Sequence, residues 1–142
     1  MMQRTTFIRL SVSLAAAMLV SATAQAQSKE PILIGVPAPM TGPNTQYGDE
    51  LKAGLMTAIE AFNAAGGVNG RLYKPILIDD ACEPKQAVPA ANRVVNSGAK
   101  FAVAHVCSGV TVPASKIYEE EGIVAITPGA TAPQVTDNLK GH

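Results

Sequence analysis

Four short apolar runs recur along the chain, Ile32 to Val36, Leu72 to Ile78, Phe101 to Val106 and Ile123 to Ile126. They are too short for buried helices and lack the alternation of a half-solvated strand, so they predict strands covered on both faces. Pro75 interrupts the second run, and a residue without a backbone donor belongs at a sheet edge. Leu51, Leu55, Ile59 and Phe62 recur at helical spacing and predict one face of a helix from about Tyr47 to Ala65, which Gly66-Gly67 stops. A second helix is predicted from about Pro84 to Asn96, with Val88, Ala91 and Val95 inward. Pro89 sits awkwardly within it, so this helix should kink or start late. A third is predicted from Pro113 to Glu120, opening with the proline that first turns favour. Its Glu119-Glu120-Glu121 run reads as a solvated end. Strand and helix in alternation predict an α/β fold, an open parallel sheet with crossover helices.

The segment ahead of the first run has a different character. Arg4 and Arg9 precede an apolar stretch from Leu10 to about Ala22, followed by Ala24-Gln25-Ala26. That is the pattern of a secretory signal peptide over residues 1–26, cut before Gln27. The apolar stretch is short for a bilayer of about 30 Å. No cysteine stands at the cut, which disfavours a lipid anchor. Cleavage removes two arginines and no acid, so the balance of 11 basic and 11 acidic residues becomes mildly acidic. This argues against nucleic acid or an anionic membrane as partner. Residues 27–142 contain no repeat or linker, and the tail from Gln134 is polar with no element to close it, so they are expected to form part of one lobe, interrupted at His142.

Export also changes the reading of Cys82 and Cys107, the only two cysteines. In an oxidising compartment such a pair is a disulfide by default. With His105 as the only imidazole nearby, the two do not supply a zinc site. Cys107 with His105 is a poor catalytic pair, because strand residues two apart lie about 6.5 Å apart and a disulfide removes the thiolate. His105 reads as packed or capped. Asp79, Asp80 and Glu83 stand between a strand end and a helix start, where carboxylates cap free N–H groups. Gly66-Gly67-Val68-Asn69-Gly70 follows a helix and precedes a strand, the reverse of a phosphate loop. The chain therefore reads as non-catalytic, with no cofactor and no metal.

Ligands of an open parallel sheet bind beyond the carboxyl ends of its strands. Three loops occupy that edge, Pro37 through Tyr47, Cys107-Ser108-Gly109 and Thr127 through Thr131. They combine small residues with hydroxyls, which suits a zwitterion: a carboxylate takes N–H and O–H donors, an ammonium takes carbonyl and hydroxyl acceptors. Ser108 is placed for the carboxylate, the Gly129 carbonyl for the ammonium and the Thr131 hydroxyl for either. Ser108 and Thr131 fit equally well as caps of a helix and a turn.

The stretches Asp79-Asp80-Ala81-Cys82-Glu83-Pro84-Lys85-Gln86-Ala87, His105-Val106-Cys107-Ser108, Ile117-Tyr118-Glu119-Glu120-Glu121-Gly122-Ile123 and Ile126-Thr127-Pro128-Gly129-Ala130-Thr131-Ala132-Pro133 resemble the leucine/isoleucine/valine-binding proteins of branched-chain amino acid importers. The likeness spans residues 31–136 in order. It implies the N-terminal lobe of a two-lobed type I periplasmic clamshell, Cys82 joined to Cys107, and ligand contacts at Ser108, Gly129 and Thr131 with Tyr47 against the ligand side chain. It further implies a small amino acid of the Leu/Ile/Val class as ligand, an inner-membrane ABC permease as partner, a periplasmic location and a monomeric complete form. The same fold also serves sensors and regulators that recognise amides, urea or other small organic acids. Gly109 stands where such relatives often carry a second serine, and Gly129 where they often carry alanine.

Overall fold

A computed structural model describes residues 29–137. The signal-peptide expectation and the last residues before His142 lie outside them. The elements are β1 (Ile32–Ala38), α1 (Thr45–Ala64), β2 (Tyr73–Asp79), a 3-10 turn (Pro84–Gln86), α2 (Ala87–Asn96), β3 (Phe101–Val103), α3 (Ser108–Glu120), β4 (Val124–Ile126) and a short α4 (Gln134–Asp137). The strands form one parallel sheet in the order β2-β1-β3-β4. Ile34 pairs with Pro75 on one side and Phe101 on the other, and Phe101 pairs with Val124. Pro75 thus lies on an edge strand, where its missing donor costs no interior ladder bond.

The crossover from β1 leads outward to β2, whereas the next two lead through β3 to β4. With right-handed crossovers this reversal places α1 on one face and α2 and α3 together on the other. It also opens a crevice at the carboxyl ends of β1 and β3, where the connections diverge. The core lies beneath α2 and α3: Ala87, Ala90, Ala91 and Val94 of α2, Val110, Ala114 and Tyr118 of α3, and Ile78, Ala102 and Ala104 from the sheet side.

Several expectations are corrected. The buried face of α2 is Ala87, Ala90, Ala91 and Val94, while Val88 is 48% exposed and Val95 only borders the core. The approach of α2 to β1 explains the phase, since a Cβ added at Gly35 would lie 2.6 Å from a Val94 methyl, so Val94 packs directly on the glycine backbone. The late start expected of α2 is observed, and it makes Pro89 the third residue, where the backbone N–H has no intrahelical partner to lose. The helix expected from Pro113 starts at Ser108, with Cys107 as its N-cap residue and Pro113 inside it. β3 ends at Val103 instead of Val106, because His105 turns into the left-handed region at φ 49°. On α1, Ile59 is buried and Leu51 and Leu55 are half-buried. Phe62 is 61% exposed, its ring edge-on to Tyr73.

The strands are not all covered on both faces. Phe101, Val124 and Ile126 are half or more exposed, and with Ile32, Ile34 and Val68 they line an apolar hollow over β3 and β4 that no described element fills. The tail is not without structure either, since α4 packs near α3. No helix among the described residues is long and apolar enough to cross a membrane.

Candidate functional site

The carboxyl edge is built by two parallel links between β2 and β3. Cys82 and Cys107 are disulfide-bonded, with Cα atoms 5.6 Å apart and 25 positions between them, a separation normal for the bond. Two residues earlier in each segment, Asp80 Oδ2 meets His105 Nδ1 at 2.7 Å across the same 25 positions. His105 is fully buried and Asp80 nearly so. The opposite ring nitrogen, Nε2, meets the Tyr118 hydroxyl at 2.9 Å, and the two rings stack. Burial, and then the Asp80 charge, push the Tyr118 hydroxyl far above the usual phenol range, so it stays protonated. His105 is a packed histidine with both nitrogens occupied, and with Cys107 in the disulfide no thiolate–imidazole pair exists at this edge.

The acidic cluster caps backbone donors, but not those of a helix. Glu83, the N-cap residue of the 3-10 turn, makes no side-chain cap bond. Asp79 Oδ1 instead accepts the N–H groups of Met40, Thr41 and Ala81, and its Oδ2 accepts the Thr41 hydroxyl at 2.6 Å. Asp80 Oδ1 accepts the Cys82 N–H at 2.9 Å, supporting Ala81 and Cys82, which both sit at positive φ. Partial burial works to raise the Asp79 carboxyl, but the hydrogen bonds from Thr41, Ala81 and Met40 outweigh it, and its pKa lies below the usual carboxylate value. Asp79 therefore clamps the loop after β1 to the end of β2, a role with no mark in the sequence beyond its place at a strand end.

That loop delivers Tyr47, the third residue of α1, half-exposed at the same edge. Its neighbour Gly48 fixes how closely α1 lies on the loop, because a Cβ there would fall on the Pro39 carbonyl oxygen. On the other side of the crevice Ser108 opens α3. Its Oγ accepts the N–H groups of Thr131 and Ala132, both at 3.2 Å. Thr127 Oγ1 accepts the Ala130 N–H at 3.0 Å. The structure thus brings Ser108 and Thr131 together, with Gly129 immediately before the three hydroxyl-held amides of Ala130, Thr131 and Ala132, and leaves Tyr47 on a separate element at the same edge.

Ser108 thus caps the Thr131 turn, whereas the N-cap residue of α3 is Cys107 and no side chain caps that helix. A hydroxyl has two acceptor positions and one proton; here both acceptor positions hold the Thr131 turn, and the proton is what remains for a further acceptor such as a carboxylate. Gly129 packs against Val106, whose Cγ1 would lie 2.8 Å from an added Cβ. Alanine here requires Val106 to move. At Gly109 an added Cβ would meet only Pro84, at 3.5 Å, an ordinary contact. A separate cavity of about 220 Å³ lies between α3, β4 and α4, lined by His105, Thr111, Tyr118 and Thr127 among others, and none of Tyr47, Ser108, Gly129 or Thr131 lines it. Among the described residues no three His, Cys, Asp or Glu side chains cluster as a metal site would require.

Comparison with known proteins agrees with this architecture. Residues 31–139 match the family described as periplasmic binding protein. The chain is 51% identical over 128 residues to the leucine-, isoleucine-, valine-, threonine-, and alanine-binding protein of Pseudomonas aeruginosa, covering 90% of this chain and 34% of that protein. It is 50% identical over 107 residues to the Leu/Ile/Val-binding protein of Escherichia coli K12, covering 75% of this chain and 29% of that one. The substrate-binding protein of a branched-chain amino acid transporter from Streptococcus pneumoniae, solved in complex with isoleucine, superposes with a TM-score of 0.71 at 28% identity over 76% of this chain and 31% of its own. The chain thus spans about a third of the length of the relatives it matches. With an open parallel sheet, a crevice at its carboxyl edge and a family match across almost every described residue, this chain belongs to the periplasmic binding proteins.

Proposed function

We propose that this chain forms, over residues 27–142, part of the N-terminal ligand-binding lobe of a periplasmic solute-binding protein that captures a small amino acid of the Leu/Ile/Val class and hands it to an inner-membrane ABC permease. The observation that carries the reading is the Ser108 bridge. Its oxygen is occupied by the Thr131 and Ala132 N–H groups, which leaves its O–H as a donor at a helix N-terminus, where a carboxylate is favoured. The half-identity to proteins named for binding leucine, isoleucine and valine supports the ligand class. In this reading Ser108 donates to the ligand carboxylate, the Gly129 carbonyl and Thr131 hydroxyl receive the ammonium, and Tyr47 packs on the aliphatic side chain. The protein performs no chemistry on its ligand. Residues 1–26 direct export and are removed, and the complete protein is a monomer.

The test is calorimetry on a chimera in which residues 31–137 replace the matching segment of the Escherichia coli Leu/Ile/Val-binding protein. Leucine, isoleucine and valine are expected to bind at least tenfold more tightly than benzoate or urea. Equal or reversed preference refutes the ligand class, and no binding by a folded, oxidised chimera refutes the site.

A further inference from the structure

The buried side chains of Asp80, His105 and Tyr118 hydrogen-bond to one another and to the Cys82 N–H. What they hold in place is the backbone of His105. That residue is not glycine, yet it sits at φ 49°, a strained region for an L-residue that persists only where surrounding contacts impose it. The turn aims its carbonyl at the Thr127 hydroxyl at 2.7 Å and at the Thr111 hydroxyl at 3.3 Å, whose one proton is shared with the nearer Cys107 carbonyl at 3.0 Å, while its N–H donates to the Pro37 carbonyl at 3.0 Å. Thr127 Oγ1 passes the connection on by accepting the Ala130 N–H. One residue therefore ties the end of β1, the first turns of α3 and the Thr127–Thr131 loop to a common point.

The side chain is what fixes that point. A carboxylate only accepts, so Nδ1 carries the proton towards Asp80, and in the neutral ring Nε2 accepts the Tyr118 O–H. With both nitrogens held in a fully buried site, the ring cannot rotate without leaving a polar group unpaired. We infer that His105, locked by Asp80 and Tyr118, is a positioning residue for ligand capture: it sets the register between Ser108 and the Thr131 turn through its carbonyl and Thr127. This rests on the proposed function only for the identity of the ligand; the positioning of one loop on the other does not.

The experiment uses the full chain, oxidised and labelled with ¹⁵N, and compares the parent with Tyr118→Phe, Asp80→Asn and a control, Val94→Ala, which thins the core beneath β1 away from these loops. In the parent, ring ¹⁵N shifts are expected to report the Nδ1-protonated tautomer; the Nε2-protonated form overturns the inference. Tyr118→Phe and Asp80→Asn are expected to shift the Ala130, Thr131 and Ala132 amides and to weaken the leucine-induced changes at Ser108 and Thr131 by about five- to thirtyfold in apparent affinity. Val94→Ala should lower stability while leaving those amides in place. If Asp80→Asn does not fold, Tyr118→Phe and the tautomer still decide. Loop amides unmoved in a folded Tyr118→Phe, or moved equally by Val94→Ala, reduce the triad to a core contact and sink the inference. If leucine moves no amide in the parent while Tyr118→Phe still moves Thr131, the positioning stands and the ligand assignment fails.

Discussion

Replacing Ser108 with alanine separates two roles that one hydroxyl holds together. The Oγ atom accepts the N–H groups of Thr131 and Ala132, each at 3.2 Å, at a partly exposed site where water can replace it. Two such bonds are worth about 0.5–1.5 kcal/mol each at most, and partial exposure keeps the folding cost near 1 kcal/mol. The proton of the same group is left for another acceptor, and its bond to a ligand carboxylate would be charge-assisted, worth about 1.5–3 kcal/mol. In the chimera, Ser108→Ala should therefore lower stability by about 1 kcal/mol and weaken leucine binding by roughly ten- to one-hundred-and-fifty-fold. Denaturant unfolding measures the first quantity and calorimetry the second. A stability loss with unchanged affinity would mean that Ser108 only caps the Thr131 turn, and the carboxylate contact would have to be sought elsewhere.

Other perturbations test how the edge is assembled. Gly48→Ala places a Cβ on the Pro39 carbonyl oxygen and should cost about 1–3 kcal/mol through displacement of α1, read by urea unfolding; a neutral outcome contradicts the close approach of helix and loop. Removing the disulfide with Cys82→Ala and Cys107→Ala together should cost about 3.5 kcal/mol on the chain-entropy account, again by urea unfolding, and a loss under 1 kcal/mol would argue against the bond as a constraint. Asp79 has a pKa lowered in the folded state, so its contribution is present above the unfolded value near 3.8 and fades as pH falls through the folded value. Asp79→Asn should flatten the stability profile in that acid range, and an unaltered profile shows that the Thr41 clamp does not titrate.

The sequence displayed the sheet because its strands are short apolar runs, and local composition decides such runs. It displayed the edge position of β2 because Pro75 lacks a donor. It displayed the disulfide because two cysteines in an exported chain have few alternatives. What it hid depended on contacts between distant segments. The inward face of α2, Ala87, Ala90, Ala91 and Val94, recurs at helical spacing, but so do Val88, Ala91 and Val95, and the close approach of Val94 to Gly35 decides between them. The uncovered side of β3 and β4 could not be seen from runs that look as apolar as those of buried strands. His105 was recognisable as packed, but not as the partner of Asp80 and Tyr118. The repeated separation of 25 between Asp80 and His105 and between Cys82 and Cys107 was the available signal. Of the proposed ligand residues, the structure brings Ser108 and Thr131 together, whereas Tyr47 shares only the edge.

The most direct test of the central claim, that a small amino acid sits at the crevice beyond β1 and β3, is amide mapping of the full ¹⁵N-labelled chain titrated with leucine into the millimolar range. One lobe binds weakly, which slow-dissociation assays miss and chemical shifts do not. The account predicts saturable shifts concentrated at Ser108, Gly129, Ala130 and Thr131, with a smaller response at Tyr47 and none at the opposite end of the sheet around Arg71 and Lys100. Shifts confined to that opposite end, or to the hollow over Phe101 and Val124, would contradict it.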